Sequence, residues 1–294
     1  MFHTSEALRR TFVRVLLSFT FAAGCRGATP ALVELDRARH LAAEMRIQFN
    51  KASDAADRAV MADTDETSVG FASEATSAKD VVKQDAVALE QALHQLGYEN
   101  ESALINGFNG QFAQYQVVLH QILELAVENT NLKAQRLSFG PAREAADAFR
   151  NALVSLGSSV GAKDACRAEH LIAEASLAVR EIQVLQAPHI AEANDPAMTQ
   201  MEREMDDRRA SASAALDALG RIVPANTPAL GDARAALDRF EKVSADVVKL
   251  SRRNTNVRSL DLALRQVPTV TAACDDQLRK LQEALDGESA KATR

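Results

Sequence analysis

Apolar residues recur every three to four positions over long stretches of this chain. Leu32, Leu35, Ala38, Leu41/Ala42 and Met45 share one helical face, and so do Leu104, Phe108, Phe112, Tyr115, Leu119, Ile122 and Ala126. Breakers divide the pattern. Thr29-Pro30 reads as a helix start with Pro at the first helical position, and Thr227-Pro228 repeats that chemistry. The polar stretch 63–70, Gly97, Gly140-Pro141, Asn194-Asp195-Pro196, Gly220 and Pro268 mark ends and turns. The third helix is expected to run from about Glu101 to Gly140-Pro141, and a short fourth to about Leu156. Residues 157–161 read as a linker.

The pattern occurs twice. Arg37-Ala38-Arg39-His40-Leu41-Ala42-Ala43-Glu44 returns as Arg167-Ala168-Glu169-His170-Leu171-Ile172-Ala173-Glu174, an offset of 130 residues. Asn129-Thr130-Asn131-Leu132-Lys133 returns as Asn254-Thr255-Asn256-Val257-Arg258 at an offset of 125, and Ala92-Leu93 returns as Ala215-Leu216 at 123. Matches in one order with small drifts indicate duplication, with length changes in the loops. The expected fold is all-α: two tandem antiparallel four-helix bundles, at 29–157 and 162–287, with a disordered tail at 288–294.

Composition agrees with this class and narrows the function. Hydrophobic residues make up 47% and charged residues 25%, Trp is absent, and Gly and Pro are few (12 and 7). A net charge of −6 without a basic stripe argues against a nucleic-acid partner. Beyond the N-terminal segment, no apolar run is long enough to span a bilayer.

That N-terminal segment reads as an address. Arg9, Arg10 and Arg14 precede a short apolar stretch from Val15 that ends in Ala22-Ala23-Gly24-Cys25. Residues 1–24 then form a signal peptide, and small residues before a Cys resemble a bacterial lipobox, with Cys25 as the lipidated new N-terminus. Ala22 stands where Leu or Val is usual, and simple cleavage is the alternative. Leu8-Arg9-Arg10-Thr11-Phe12 also resembles a twin-arginine signal, so the export route stays open. The expected location is the periplasm or the outer membrane, by a lipid anchor. Cys166 and Cys274 would face an oxidising compartment; a disulfide and two buried free thiols are both open, the thiols preferred.

Residues 129–142, Asn-Thr-Asn-Leu-Lys-Ala-Gln-Arg-Leu-Ser-Phe-Gly-Pro-Ala, carry a resemblance. They are similar to the four-helix-bundle ligand-binding domain of methyl-accepting chemotaxis receptors and related bacterial sensors, where a polar, small-residue helix passes through a Pro-containing turn, as at Gln266-Val267-Pro268-Thr269. The resemblance implies a sensor-like extracytoplasmic module that binds a small molecule or docks to a membrane receptor protein, with a homodimer as one assembly. The family's second membrane helix, relay module and signalling coiled coil are missing, and its ligand-contacting arginines and threonine have no clear counterparts.

Three constellations carry candidate chemistry. His40/Glu44 and His170/Glu174 lie four apart, a spacing that suits a metal on facing helices or a plain one-turn hydrogen bond; His120/Glu124 has the same spacing. Met198, Met201 and Met205 form a stripe suited to core filling or Cu(I). Asn129 and Asn254 each extend an apolar seam (Leu119, Ile122, Ala126 and Val243, Val247, Leu250), which places an amide in both cores. Such a pair is a polar layer fixing helix register or the floor of a ligand cleft. No nucleophile elbow, phosphate loop or zinc-protease motif occurs, so the chain reads as a non-enzyme needing no cofactor. The leading reading is a sensor-like lipoprotein. The alternatives are a scaffolding lipoprotein with no small ligand and a metal-binding bundle.

Overall fold

The structure is a computed structural model that describes residues 28–224 and 226–292. The signal segment 1–24, the lipidation of Cys25 and the capping side chain of Thr29 lie outside the described residues. The fold is all-α: α1 (Ala28–Met61), α2 (Asp65–Leu96), α3 (Glu99–Glu128), α4 (Thr130–Leu137), α5 (Arg143–Gly157), α6 (Ala165–Ala191), α7 (Asp195–Gly220), α8 (Pro228–Arg253), α9 (Thr255–Arg265) and α10 (Val267–Ala292). A five-residue π-turn, Ser138–Ala142, joins α4 to α5.

Most breakers act as the sequence suggests. Thr64 caps α2 by accepting from the Thr67 N–H at 3.1 Å. Gly97 takes φ 70°, and the N–H of Tyr98 reaches back to the carbonyl of Leu93, closing α2 in a Schellman-type turn. Asn194 caps α7 by accepting from the Ala197 N–H at 2.9 Å, with Pro196 in the first turn. Thr227 departs from expectation. Pro228 opens α8, but the Thr227 hydroxyl donates to the Pro224 carbonyl and caps nothing. The tail expected to be disordered from residue 288 is helical through Ala292, where Lys291 pairs with Glu288 one turn back.

Gly140-Pro141 does not end a helix. The missing N–H and ring clash of Pro141 are absorbed by the wider π-turn, so helical structure continues from Thr130 to Gly157. The interruption falls instead at Asn129, a single left-handed residue (φ 50°) between α3 and α4; Asn254 (φ 54°) does the same between α8 and α9.

The contact-defined units do not follow the sequential division into 29–157 and 162–287. Among the described residues, contacts separate one unit made of those up to Arg58, Gly70–His120 and those from Leu264 onward, and a second made of Ala59–Val69 and those between Gln121 and Ala263. With no hairpin at Gly140-Pro141, the fourth helix of the first copy runs on into the second copy's helices. It packs as α4–α5 against α6 and α8. The fourth helix of the second copy, α10, packs with helices of the first.

In the first unit, Arg46 of α1 donates to Asp275 of α10 at 2.9 Å and to Gln282 at 3.2 Å. Phe49 of α1 sits among Phe108, Phe112 and Tyr115 of α3, with ring centroids 6.4, 6.3 and 4.9 Å away. Leu278, Leu281 and Leu285 of α10 are buried with them, as is Cys274. In the second unit, Phe149 and Leu153 of α5, Ile182 of α6, Met205 and Leu216 of α7 and Phe240 of α8 form one core. At its end a Cβ on Gly157 would lie 2.9 Å from Ile172 Cδ1, so the tip of that side chain packs directly on the glycine.

Candidate functional site

The His-Glu pairs do not converge on a site. His40, His170 and Glu174 are exposed, and Glu44 is half-buried and accepts from Gln48 at 2.7 Å. Among the described residues no three metal-capable side chains come together. Met198 and Met205 are buried in the second unit and Met201 packs against its core, as filling residues do. Cys166 is exposed and Cys274 buried, and both are free, so neither the disulfide nor the pair of buried thiols is found.

Asn129 and Asn254 belong to a reciprocal clasp within the second unit. Each ends a helix in the left-handed conformation, and the Thr-Asn that follows begins the next helix with unpaired backbone N–H groups. The two Thr-Asn pairs satisfy each other. Thr130 N–H donates to Thr255 Oγ1 and Thr255 N–H to Thr130 Oγ1, both at 3.1 Å. Asn131 N–H donates to Asn256 Oδ1 and Asn256 N–H to Asn131 Oδ1, again both at 3.1 Å. The amide of Asn131 donates to Asn254 Oδ1 at 2.8 Å, and that of Asn256 to Asn129 Oδ1 at 2.9 Å. The duplicated tripeptide is thus a two-fold pair of mutual helix caps.

The symmetry is incomplete. Asn254 Nδ2 donates to the Glu192 carbonyl at 2.8 Å, whereas Asn129 Nδ2 is buried without a partner. Nearby on α4, Lys133 and Arg136 each lie 3.7 Å from Asp65, one of whose oxygens is also unpartnered.

Further polar groups run through the second unit's core. Ser138, in the π-turn, donates to Gln186 Oε1 at 2.6 Å, and Gln186 Nε2 donates to Ser244 Oγ at 3.0 Å. His189 places Nδ1 2.8 Å from Ser251 Oγ and Nε2 2.9 Å from Glu202. Facing a carboxylate, Nε2 carries a proton. Arg252 grips the same Glu202 with two bonds, at 2.6 and 2.8 Å, and holds its carboxyl below the usual glutamate range, His189 adding to the effect. Sequence reading missed these residues. The repeat offers no signal for them, since Gln186, His189 and Ser251 lack matching partners in the first copy.

A groove opens on the α5–α6 side of this unit, with a cavity of about 550 Å³ beside one of about 390 Å³ that shares Asp147, Arg150, Arg180 and Gln183 with it. Arg143 also lines it, and Ser138 joins its floor to the buried Gln186. Phe139 and Val184, 60% and 62% exposed, form its apolar rim. Arg143 and Arg150 stand two turns apart on one helix, a spacing visible in the sequence; Arg180 comes from another helix, and its approach was not visible.

No protein-family model matches this chain, and no curated protein matches it. Among the described residues no helix is long and apolar enough to cross a membrane.

Proposed function

We propose that this chain is an extracytoplasmic, sensor-like module that binds a small molecule and has no catalytic role of its own. The observation that carries the reading is the groove on α5–α6, a preformed concavity whose floor is tied through Ser138 and Gln186 into a buried hydrogen-bonded core. Ligand contact at Ser138 reaches Ser244 of α8 in two hydrogen bonds, so occupancy has a physical route to a second helix. Each unit is read as a four-helix bundle, completed by the fourth helix of the other repeat copy. The N-terminal segment supplies export and a lipid anchor at Cys25, and a receptor protein in the same membrane would carry the signal onward.

Isothermal calorimetry and thermal-shift screening of the chain from Cys25 onward test the reading. Amino acids, organic acids, polyamines and divalent metals form the screen. Saturable binding by a small molecule, lost in Gln183→Ala or Ser138→Ala with the far-ultraviolet spectrum unchanged, is the expected result. A silent screen across all classes would remove the proposal and leave the scaffolding alternative.

A further inference from the structure

We infer that the α5–α6 groove takes a small organic anion, bearing carboxylate or phosphate groups with a combined charge near −2 and an apolar portion. The inference rests on the ligand-binding reading above and names the chemistry of that same site.

Charge is the first observation. Three guanidinium groups line the groove, and the carboxylate among its lining residues is that of Asp147. Asp147 lies 3.2 Å from Arg150 and 4.0 Å from Arg143, so one carboxylate is shared between two arginines. Arg180 has no ion-pair or hydrogen-bond partner among the described residues. Two positive charges are therefore left without an internal counter-charge, in a chain whose net charge is −6. Guanidinium forks match carboxylate and phosphate oxygens in bidentate geometry, which lysine would not do.

Shape and polarity add a second, independent observation. Phe139 and Val184 are both exposed by more than half, and both line the larger cavity next to the arginines. Phe139 belongs to the π-turn forced by Pro141, so the same irregularity that bends the ladder presents the ring at the groove. Gln183 and the hydroxyl of Ser138 supply neutral polar contacts between rim and floor. An inorganic anion would leave the apolar rim uncovered; an organic anion covers it. A cavity of about 550 Å³ suits a compact metabolite rather than a polymer.

Calorimetry of the same chain with succinate, glutarate and a sugar phosphate as probes tests the class. Inorganic phosphate, a neutral amino acid and putrescine are the comparison set. Binding of an organic anion that weakens about tenfold or more in Arg180→Ala, recovers in part in Arg180→Lys, and falls with rising ionic strength is the expected result. Phe139→Ala should weaken the organic anions and leave inorganic phosphate unchanged. If a neutral or cationic compound binds and the anions do not, this inference fails while the proposed function stands. If no probe of any class binds, both fail. Anion binding that is indifferent to Arg180→Glu, a charge reversal that leaves the exposed position soluble, also overturns the assignment to this groove.

Discussion

The clasp between the two Asn-Thr-Asn segments can be taken apart one hydroxyl at a time. Thr130→Val keeps the shape of the side chain and removes its oxygen. In the native chain that oxygen accepts the Thr255 N–H at 3.1 Å and pairs with the Thr255 hydroxyl at 3.1 Å. Thr130 is 3% exposed and Thr255 2%, so water does not replace what is lost. Stranding the buried N–H of Thr255 is expected to cost about 1–3 kcal/mol, and Thr255→Val strands the Thr130 N–H at a similar cost. The double variant should be less destabilised than the sum of the two. The bond between hydroxyls disappears in either single variant but only once in the double, so the shortfall is about 0.5–1.5 kcal/mol. Urea denaturation followed by far-ultraviolet circular dichroism gives the three stabilities. Hydrogen exchange at the amides of residues 130 and 255 reports the clasp locally, each amide losing protection when the opposite hydroxyl is removed. Single variants within about 0.5 kcal/mol of the native chain, or strict additivity, would refute the reciprocal capping described above.

Other outcomes follow from the same geometry. Asn129→Ala forces a Cβ-bearing residue without a side-chain amide into φ 50° and removes the acceptor for Asn256, so it should cost about 1–3 kcal/mol, while Asn129→Gly recovers the backbone part; thermal melts of the pair separate the two contributions. Because Arg252, then His189, depress the carboxyl of Glu202, their stabilisation is fully present above the ordinary glutamate pKa and is lost as pH falls through the lowered native value. Glu202→Gln should therefore flatten the acid limb of stability against pH, and a limb as steep as that of the native chain would contradict the assignment. Cys166 should alkylate rapidly at pH 8 in the folded chain, whereas Cys274, whose thiol burial pushes up to about 12, should react only on unfolding, as peptide mapping by mass spectrometry would resolve. His40→Ala and His170→Ala, both at exposed positions, should change stability by less than about 0.5 kcal/mol and leave the melting curve of a zinc-treated sample unmoved.

How much of the site was legible depends on which interactions make it. The two asparagines could be placed in the core because the apolar stripes of α3 and α8 run straight onto them; Ala126 and Asn129 are both fully buried. Their partners could not be named, although the repeat held the clue: the tripeptides recur 125 residues apart, and the backbone-capping bonds between them span 125 residues. Helical periodicity records that a face is buried, not which helix covers it. For the same reason Gln186, His189 and Ser251 gave no signal, because the bonds Ser138–Gln186, Gln186–Ser244 and His189–Ser251 span 48, 58 and 62 residues.

By itself the sequence determined the all-α class, the duplication and most helix ends, because these depend on propensity, spacing and capping within a few residues of each other. Tertiary structure decided which fourth helix completes which unit. Gly140-Pro141 is the stronger local breaker by composition, yet a π-turn absorbs it, and the interruption passes to left-handed Asn129, whose side chain accepts a hydrogen bond from Asn256 of the other copy. That exchange also placed Arg180 of α6 beside Arg143 and Arg150 of α5. A local rule assigns each breaker its own intrinsic cost. The folded chain chose the interruption whose unpaired N–H groups find acceptors, and those acceptors exist only once the second copy is in place.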